Sequence, residues 1–372
     1  MKFSVIAENF QRPLSFIERN TAKNLTLPIL GSFFISTEGG LIKIIGTNLE
    51  IGVEALIRGT IQQNGKVVVP AKNFLLFIST IKKDEKITLE SSSNDLVVEI
   101  NSQKTIFKGL PPEDFPPFPI IRENYSITFK KDDIVSAVTR CLISVSRSLI
   151  KPELSSIFFL VEKEIITIAS TDSFRLSEVK IKPSSYPMKI QKETFLLPER
   201  TGEEVLKLLE LSNEDKVKFC VGRGEIVVKC TDMSLYSRLI EGCFPEYGQI
   251  IPMKFQTSAK ISRPVIVGHL RRASLFTNKL NGISITIEPQ KKTGTIESTN
   301  RDVGEYKASF HVDAQGEPLS IVFNYHYLID GIDGFKDDVL FFGFNGEAQP
   351  LLIRPPQKDE LMYVVMPMKG GV

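Results

Sequence analysis

Tryptophan is absent from this 372-residue chain, histidine occurs three times and cysteine four times. The histidines, His269, His311 and His326, stand in no Ser/His/Asp or Cys/His order that would activate a nucleophile. Cys141, Cys220, Cys230 and Cys243 have no CxxC spacing and no histidine close by, so they lack the clustered soft ligands of a metal site; reduced, mostly buried thiols are expected. A Walker loop, a GxGxxG after a strand and an HExxH are also missing. No metal, no cofactor and no enzymatic chemistry is expected. No window approaches the roughly 18 unbroken apolar residues of a membrane span. Met1 to Ile6 leads into polar Glu8 and Asn9 and no signal peptide is visible, so a cytoplasmic protein with no membrane partner is expected.

The chain does have an internal period. Ile44-Ile45-Gly46-Thr47-Asn48, Ile168-Ala169-Ser170-Thr171-Asp172 and Ile296-Glu297-Ser298-Thr299-Asn300 each end an apolar run in Thr-Asx. Their spacing is roughly 125 residues, the size of one small domain. A second marker keeps step: Val67-Val68-Val69-Pro70, Phe195-Leu196-Leu197-Pro198 and Ile321-Val322-Phe323-Asn324 are strand signals that lead straight into helical patterns. Two markers with one period imply a triplicated unit. Proline clusters at Pro111 to Pro119 and at Pro245 to Pro252 set the expected boundaries, giving domains at 1–121, 125–252 and 253–372.

Each third reads as α+β, with two one-faced helices and antiparallel sheet. Phe10, Leu14 and Ile17 define the first helix, in which Pro13 is expected to bend or delay the start. Phe74, Phe77, Ile78 and Ile81 define the second. Ile134, Val138, Cys141, Leu142 and Val145 share one face, as do Val205, Leu208 and Leu209. In the last third, Ile266, Leu270 and Ala273 follow a Ser262 cap and Pro264, and a short helix runs from Asn324 through Tyr327 and Leu328.

Net charge is only +2, yet it is unevenly placed. Residues 260–279 carry Lys260, Arg263, Arg271, Arg272 and Lys279 with no acid, and Lys72, Lys82 and Lys83 are equally unopposed within 71–83. Arg12, Arg19 and Lys23 are spaced i, i+7, i+11, and Arg140, Arg147 and Lys151 repeat that spacing. One basic stripe is an ordinary solvated face; recurrence against an acidic remainder points to phosphate backbone, bound without reading sequence. Few aromatics interleave these charges, which disfavours a stacking platform for single strands.

Several stretches, in order and along the whole chain, resemble the β subunit of bacterial DNA polymerase III, the sliding clamp. They are Leu27-Pro28-Ile29-Leu30, Thr47-Asn48-Leu49-Glu50-Ile51-Gly52, Val69-Pro70-Ala71-Lys72, Gly109-Leu110-Pro111-Pro112-Glu113-Asp114-Phe115-Pro116, Thr171-Asp172 with Arg175-Leu176, Ser237-Arg238-Leu239-Ile240-Glu241-Gly242 with Phe244-Pro245-Glu246-Tyr247, Phe323-Asn324 with Tyr327-Leu328, and Tyr363-Val364-Val365-Met366-Pro367-Met368. The resemblance implies three repeated α+β domains in the DNA clamp fold and a head-to-tail homodimeric ring on double-stranded DNA. That ring would tether the replicative polymerase and give it processivity, with the clamp loader and other clamp-binding-motif proteins as further partners. Size agrees with a dimer: six helices spaced roughly 8–10 Å apart close a circle only about 15–19 Å across, whereas twelve reach about 31–38 Å.

Carried over by position, DNA contacts would fall on Lys23, Asn24, Lys72, Arg147, Ser148 and Lys151, with Asn24 standing where well-known members have arginine. Phe107 would lie on one side of the dimer contact, Leu275 and Phe276 on the other. The partner-peptide pocket would comprise Leu154, Thr171, Ser173, Phe174, Arg175, Leu176, Pro245, Gln249, Ile250, Asn324, Tyr327, Pro350, Val364, Val365, Met366, Pro367 and Met368. Methionines and small aliphatics suit varied apolar anchors, while Arg175, Asn324 and Gln249 can fix a peptide backbone. Ser173-Phe174 replaces the family's common Gly-His, and Lys369-Gly370-Gly371-Val372 replaces its usual ending, so altered peptide preference is expected. Three alternatives stay open: a non-replicative triplicated binding module, a duplicate clamp conferring inhibitor resistance, and a hydrolase using Asp172 and Arg175.

Overall fold

Period-two alternation in short runs broken by Gly, Asn and Asp makes strands, and 26 form among the described residues, with six α-helices. The computed structural model describes residues 1–23, 27–119, 121–148, 150–162, 164–186 and 191–368. Asn24 and the Lys369–Val372 tail fall outside them.

The first repeat runs β1 (Lys2–Ile6), α1 (Ala7–Arg19), β2 (Ser32–Glu38), β3 (Leu41–Thr47), β4 (Ile51–Ile57), β5 (Thr60–Gln63), β6 (Gly65–Pro70), α2 (Ala71–Ser79), β7 (Lys86–Ser92), β8 (Asp95–Ile100) and β9 (Gln103–Phe107). The second runs β10 (Tyr125–Lys130), α3 (Lys131–Leu142), β11 (Ser156–Glu162), β12 (Ile165–Thr171), β13 (Arg175–Ile181), β14 (Lys192–Pro198), α4 (Glu199–Leu211), β15 (Lys216–Val221), β16 (Glu225–Lys229) and β17 (Met233–Arg238). The third runs β18 (Thr257–Ser262), α5 (Arg263–Ala273), β19 (Gly282–Glu288), β20 (Thr293–Asn300), β21 (Gly304–His311), β22 (Asp313–Gly316), β23 (Leu319–Asn324), α6 (Tyr325–Asp333), β24 (Val339–Phe344), β25 (Leu351–Arg354) and β26 (Leu361–Val365). Among the described residues, only the counterpart of β5 and β22 is missing from the second. This is a three-fold repeated α+β chain.

Helix formation follows burial. Pro13 sits inside α1, which still runs unbroken because Phe10, Leu14 and Ile17 are fully buried. At about 2 kcal/mol each, those side chains offset the roughly 3 kcal/mol of an interior proline. Asn324 caps α6 by accepting from His326 N at 2.9 Å. Ser262 does occupy the N-cap of α5, but its side chain makes no capping bond; Pro264 in the first turn needs no partner for its nitrogen.

Two sheets cross a repeat boundary. β17 pairs antiparallel with β4, setting Ser237 opposite Ile51, Tyr236 opposite Gly52 and Ser234 opposite Glu54. The result is the order β10-β15-β16-β17-β4-β3-β2-β6. β26 pairs with β13 in the same register, Val365 opposite Arg175, Val364 opposite Leu176 and Met362 opposite Glu178, within the order β14-β11-β12-β13-β26-β25-β24-β18-β22. The other sheets are β5-β1-β7-β8-β9 and β21-β20-β19-β23, so β9 and β21 are edge strands. The chain forms two compact units, 1–132 with 183–187 and 200–239, and 133–182 with 188–199 and 240–372. Each seam lies wholly inside one unit.

Candidate protein-binding pocket and basic surface

The Thr-Asx marker proves to be a turn that aims the next two or three side chains. Thr171 Oγ1 donates to Arg175 O at 2.7 Å and accepts from Ser173 N at 3.1 Å, while Asp172 Oδ1 accepts from Phe174 N at 2.9 Å and Arg175 N at 3.0 Å. Thr47 and Asn48 make the equivalent four bonds in the first repeat. The third residue of each turn is left-handed, Leu49 at φ 75° and Ser173 at φ 76°. In the third repeat Asn300 Oδ1 accepts only from Asp302 N, at 3.0 Å, and its amide donates to Thr277 O at 2.8 Å.

Beside the Thr171 turn lies a cavity of about 150 Å³. Leu154, Thr171, Ser173, Phe174, Arg175, Leu176, Pro245, Ile250, Val364 and Met366 line it, together with Tyr247 and Ile251. Ten residues expected of the peptide pocket are thus brought to one place. Tyr247 and Ile251 were missed; the Phe244-Pro245-Glu246-Tyr247 run, which echoes Phe115-Pro116-Pro117-Phe118, was the available signal.

Arg175 forms one flank. Its Nε lies 3.0 Å from Asp172 Oδ2, its Nη1 lies 2.6 Å from Asp330 Oδ2, and the guanidinium stands 4.5 Å from the Tyr327 ring centroid. Burial alone would lower its pKa, but its hydrogen bonds to Asp330 and Asp172 and the Asp172 charge prevail and leave it above the ordinary arginine value. Phe174, 58% exposed, stacks on Tyr327 with centroids 6.4 Å apart, giving a projecting aromatic pair. Asp172 therefore builds the turn and pairs with Arg175, which gives it a structural task in place of the base a hydrolase would need.

The remaining expected residues sit elsewhere. Tyr327 lines an adjoining cavity of about 490 Å³ with Arg147, His326 and Asp330, and Arg175 borders both. Asn324 is occupied as the α6 cap. Val365 is fully buried in the core of the third repeat, and Pro350 is also buried. Gln249 is exposed on the short turn Tyr247–Gln249. Met368 N donates to Val322 O at 2.8 Å, which ties it and its neighbour Pro367 towards β23. A larger groove of about 560 Å³ elsewhere is walled by Glu8, Arg12, Arg58 and Asp232. Charges of both signs make it a poor seat for apolar anchors.

The basic residues need a correction. Helix α1 ends at Arg19 and α3 at Leu142, so Lys23, Arg147 and Lys151 lie in the loops beyond and not on a helical stripe. Arg19 pairs with buried Glu204 at 3.4 Å, and Arg140 lies over the Phe335 ring at 5.6 Å, where burial lowers its pKa. The two loops are nonetheless built alike, Ala22 N to Leu30 O and Ser146 N to Leu154 O both at 2.9 Å. Lys23, Lys72, Arg147, Ser148 and Lys151 are exposed. Of the thiols, Cys141 and Cys220 are buried, Cys230 is intermediate and Cys243 is exposed, so half depart from the expected burial.

At the edge strands, Phe107 packs between Phe74 and Phe77, both at 5.3 Å, and Phe276 stacks on Tyr306. Leu275, Ile106 and Val303 are exposed by 70%, 61% and 61%.

Comparisons with known proteins point to one family. Family models described as the N-terminal, central and C-terminal domains of DNA polymerase III beta subunit match residues 1–119, 128–246 and 248–369. The chain is 21% identical to the beta sliding clamp of Synechococcus elongatus over 373 residues, and 23% identical to that of Chlamydia pneumoniae over 372, covering 99% of each protein in both comparisons. The crystal structure of the DNA polymerase sliding clamp from Bacillus subtilis superposes with a TM-score of 0.94 at 22% identity over the full length of both chains. A Pseudomonas aeruginosa clamp bound to griselimycin gives 0.93 at 21% identity, again over both chains in full.

Proposed function

The chain belongs to the DNA polymerase III beta subunit family, the bacterial sliding clamps, and from that membership we propose that two copies close head to tail into a ring around duplex DNA. The observation that carries this reading is the pairing rule at the seams. Within the chain, the last strand of one repeat always joins the strand after the Thr-Asx turn of the repeat before it: β17 on β4, and β26 on β13. β9 of the first repeat and β21 of the third are the two unused halves of one more such seam. Two copies exchanging them leave neither free, a heterologous contact that closes after two steps. Carried over to this seam, the same register would set Phe107 opposite Val303 of a second copy and Thr105 opposite Glu305. Apolar Ile106, Leu275 and Phe276 are then covered.

Domains at 1–121, 125–252 and 253–372 make up each half-ring. Lys23, Lys72, Arg147, Ser148 and Lys151 would meet phosphates without reading bases, so each contact is replaceable and the ring slides. The cavity at Arg175 would seat apolar anchors of the replicative polymerase, the clamp loader and repair proteins. Function then rests on enclosure, in the cytoplasm, with no catalytic step.

Loading onto nicked circular plasmid, then linearisation, tests the reading. Retention on the circle and loss from the linear form are expected; equal retention on both would replace enclosure with plain electrostatic adhesion. Leu275→Asp, at an exposed site, is expected to convert a dimer to a monomer in sedimentation velocity. A parental chain that is already a monomer at micromolar concentration would overturn the ring.

A further inference from the structure

We propose that Glu178 is a positioning residue for the peptide pocket, holding the Tyr247 phenol and through it the wall formed by residues 245–251. The inference rests on the reading of that cavity as a partner-peptide site.

Alternation along β13 puts Glu178 on the same face as Leu176, within the satellite cluster of Leu176, Leu352, Met362 and Val364. Only 5% of Glu178 is exposed. A carboxylate there needs a donor, and Tyr247 Oη supplies one to Oε2 at 2.6 Å. Lys180 Nζ lies 3.1 Å from Oε1 but off the angle of a hydrogen bond, so that oxygen has a counter-charge and no donor. Burial, reinforced by the Glu178 charge, raises the Tyr247 pKa and keeps the phenol protonated.

Apart from apolar packing of Tyr247 and Ile251 on the Leu176 cluster, the wall has few contacts to hold it. Among the described residues its backbone bonds are internal, Tyr247 N to Pro245 O and Ile250 N to Tyr247 O. Phe244 stacks on Phe158 at 4.8 Å, and Tyr247 meets the same ring edge-on at 6.4 Å. The phenol is the segment's polar tether to the sheet. At the other seam Glu54 holds the register position of Glu178 and pairs with Lys43 at 2.9 Å, while Phe118, lacking a hydroxyl, lies over Gly52. Among the described residues, that seam shows no such tether.

The probe is a short labelled peptide with adjacent leucine and phenylalanine, chosen for the cavity's apolar walls, titrated by fluorescence anisotropy. Tyr247→Phe is expected to weaken binding about 10-fold, mainly through faster dissociation, and to speed amide exchange at 247–251. Glu178→Gln, whose amide oxygen still accepts the phenol proton, should bind within about two-fold of the parent. Glu178→Leu should match Tyr247→Phe, and the double variant should be no weaker than either. Parental affinity and parental exchange in Tyr247→Phe would overturn the tether, as would faster exchange without weaker binding, or losses that simply add. The exchange arm needs no peptide, so a parental chain that fails to bind would end the pocket reading alone.

Discussion

The seams β4–β17 and β13–β26 share register, turn chemistry and a Phe-Pro segment laid across the outside, yet different side chains fill them and give their cavities different chemistry. At the first, Gly52 leaves room that Phe118 occupies; a Cβ on Gly52 would stand 2.9 Å from that ring. At the second, Leu176 fills the corresponding place, and the covering segment leaves a cavity walled by Leu176, Ile250, Val364 and Met366. Ile51 at the first is 2% exposed and apolar, whereas Arg175 at the second carries two ion pairs and faces the cavity. A cavity of about 250 Å³ adjoins Phe118 there, lined by Pro119, Ile121 and Val227 but rimmed by the charged side chains of Glu54, Glu123 and Lys229. Duplicated backbone thus supports two different outcomes. On the proposed function, side chains at three or four register positions decide which seam takes an apolar peptide.

Five substitutions press on that contrast. Ile51→Ala should cost about 3 kcal/mol of stability by leaving a cavity in the first seam, without changing peptide affinity; urea unfolding and anisotropy titration separate the two. Arg175→Ala should cost about 2 kcal/mol, because Asp172 and Asp330 lose their shared partner, and should weaken peptide binding more than 10-fold. If both variants bind alike, the seams do not differ in function. Gly52→Leu, which imports the second seam's residue, should destabilise by about 1–2 kcal/mol through overpacking against Phe118, read as a lower urea midpoint at unchanged slope. Ser173→Gly and Leu49→Gly should each stabilise by about 0.5–1 kcal/mol, since glycine accepts the left-handed turn without strain. Unequal gains would mean that the turns are not equivalent.

Much of this was legible in the chain itself. The Thr-Asx markers and the paired helices lay in local runs whose chemistry is carried by near neighbours, while ten of the residues around Arg175 were reached by position through the resemblance to the clamp family. The basic stripe was misread because Lys23 and Lys151 continue a helical spacing beyond the points where α1 and α3 end. Nothing local marks the pairing of Ile51 with Ser237, since period-two strands accept any partner that buries the right face. Tyr247 was passed over for a related reason: its task depends on Glu178, 69 residues away in sequence.

Residue order alone settled the triplication, the element types and the chemistry of each turn, because these depend on contacts a few residues apart. Which strands meet across repeats, what lines the cavity at each seam and which side chain meets the buried carboxylate were settled by packing at long range, where burial and hydrogen-bond satisfaction choose among partners that local pattern leaves equivalent.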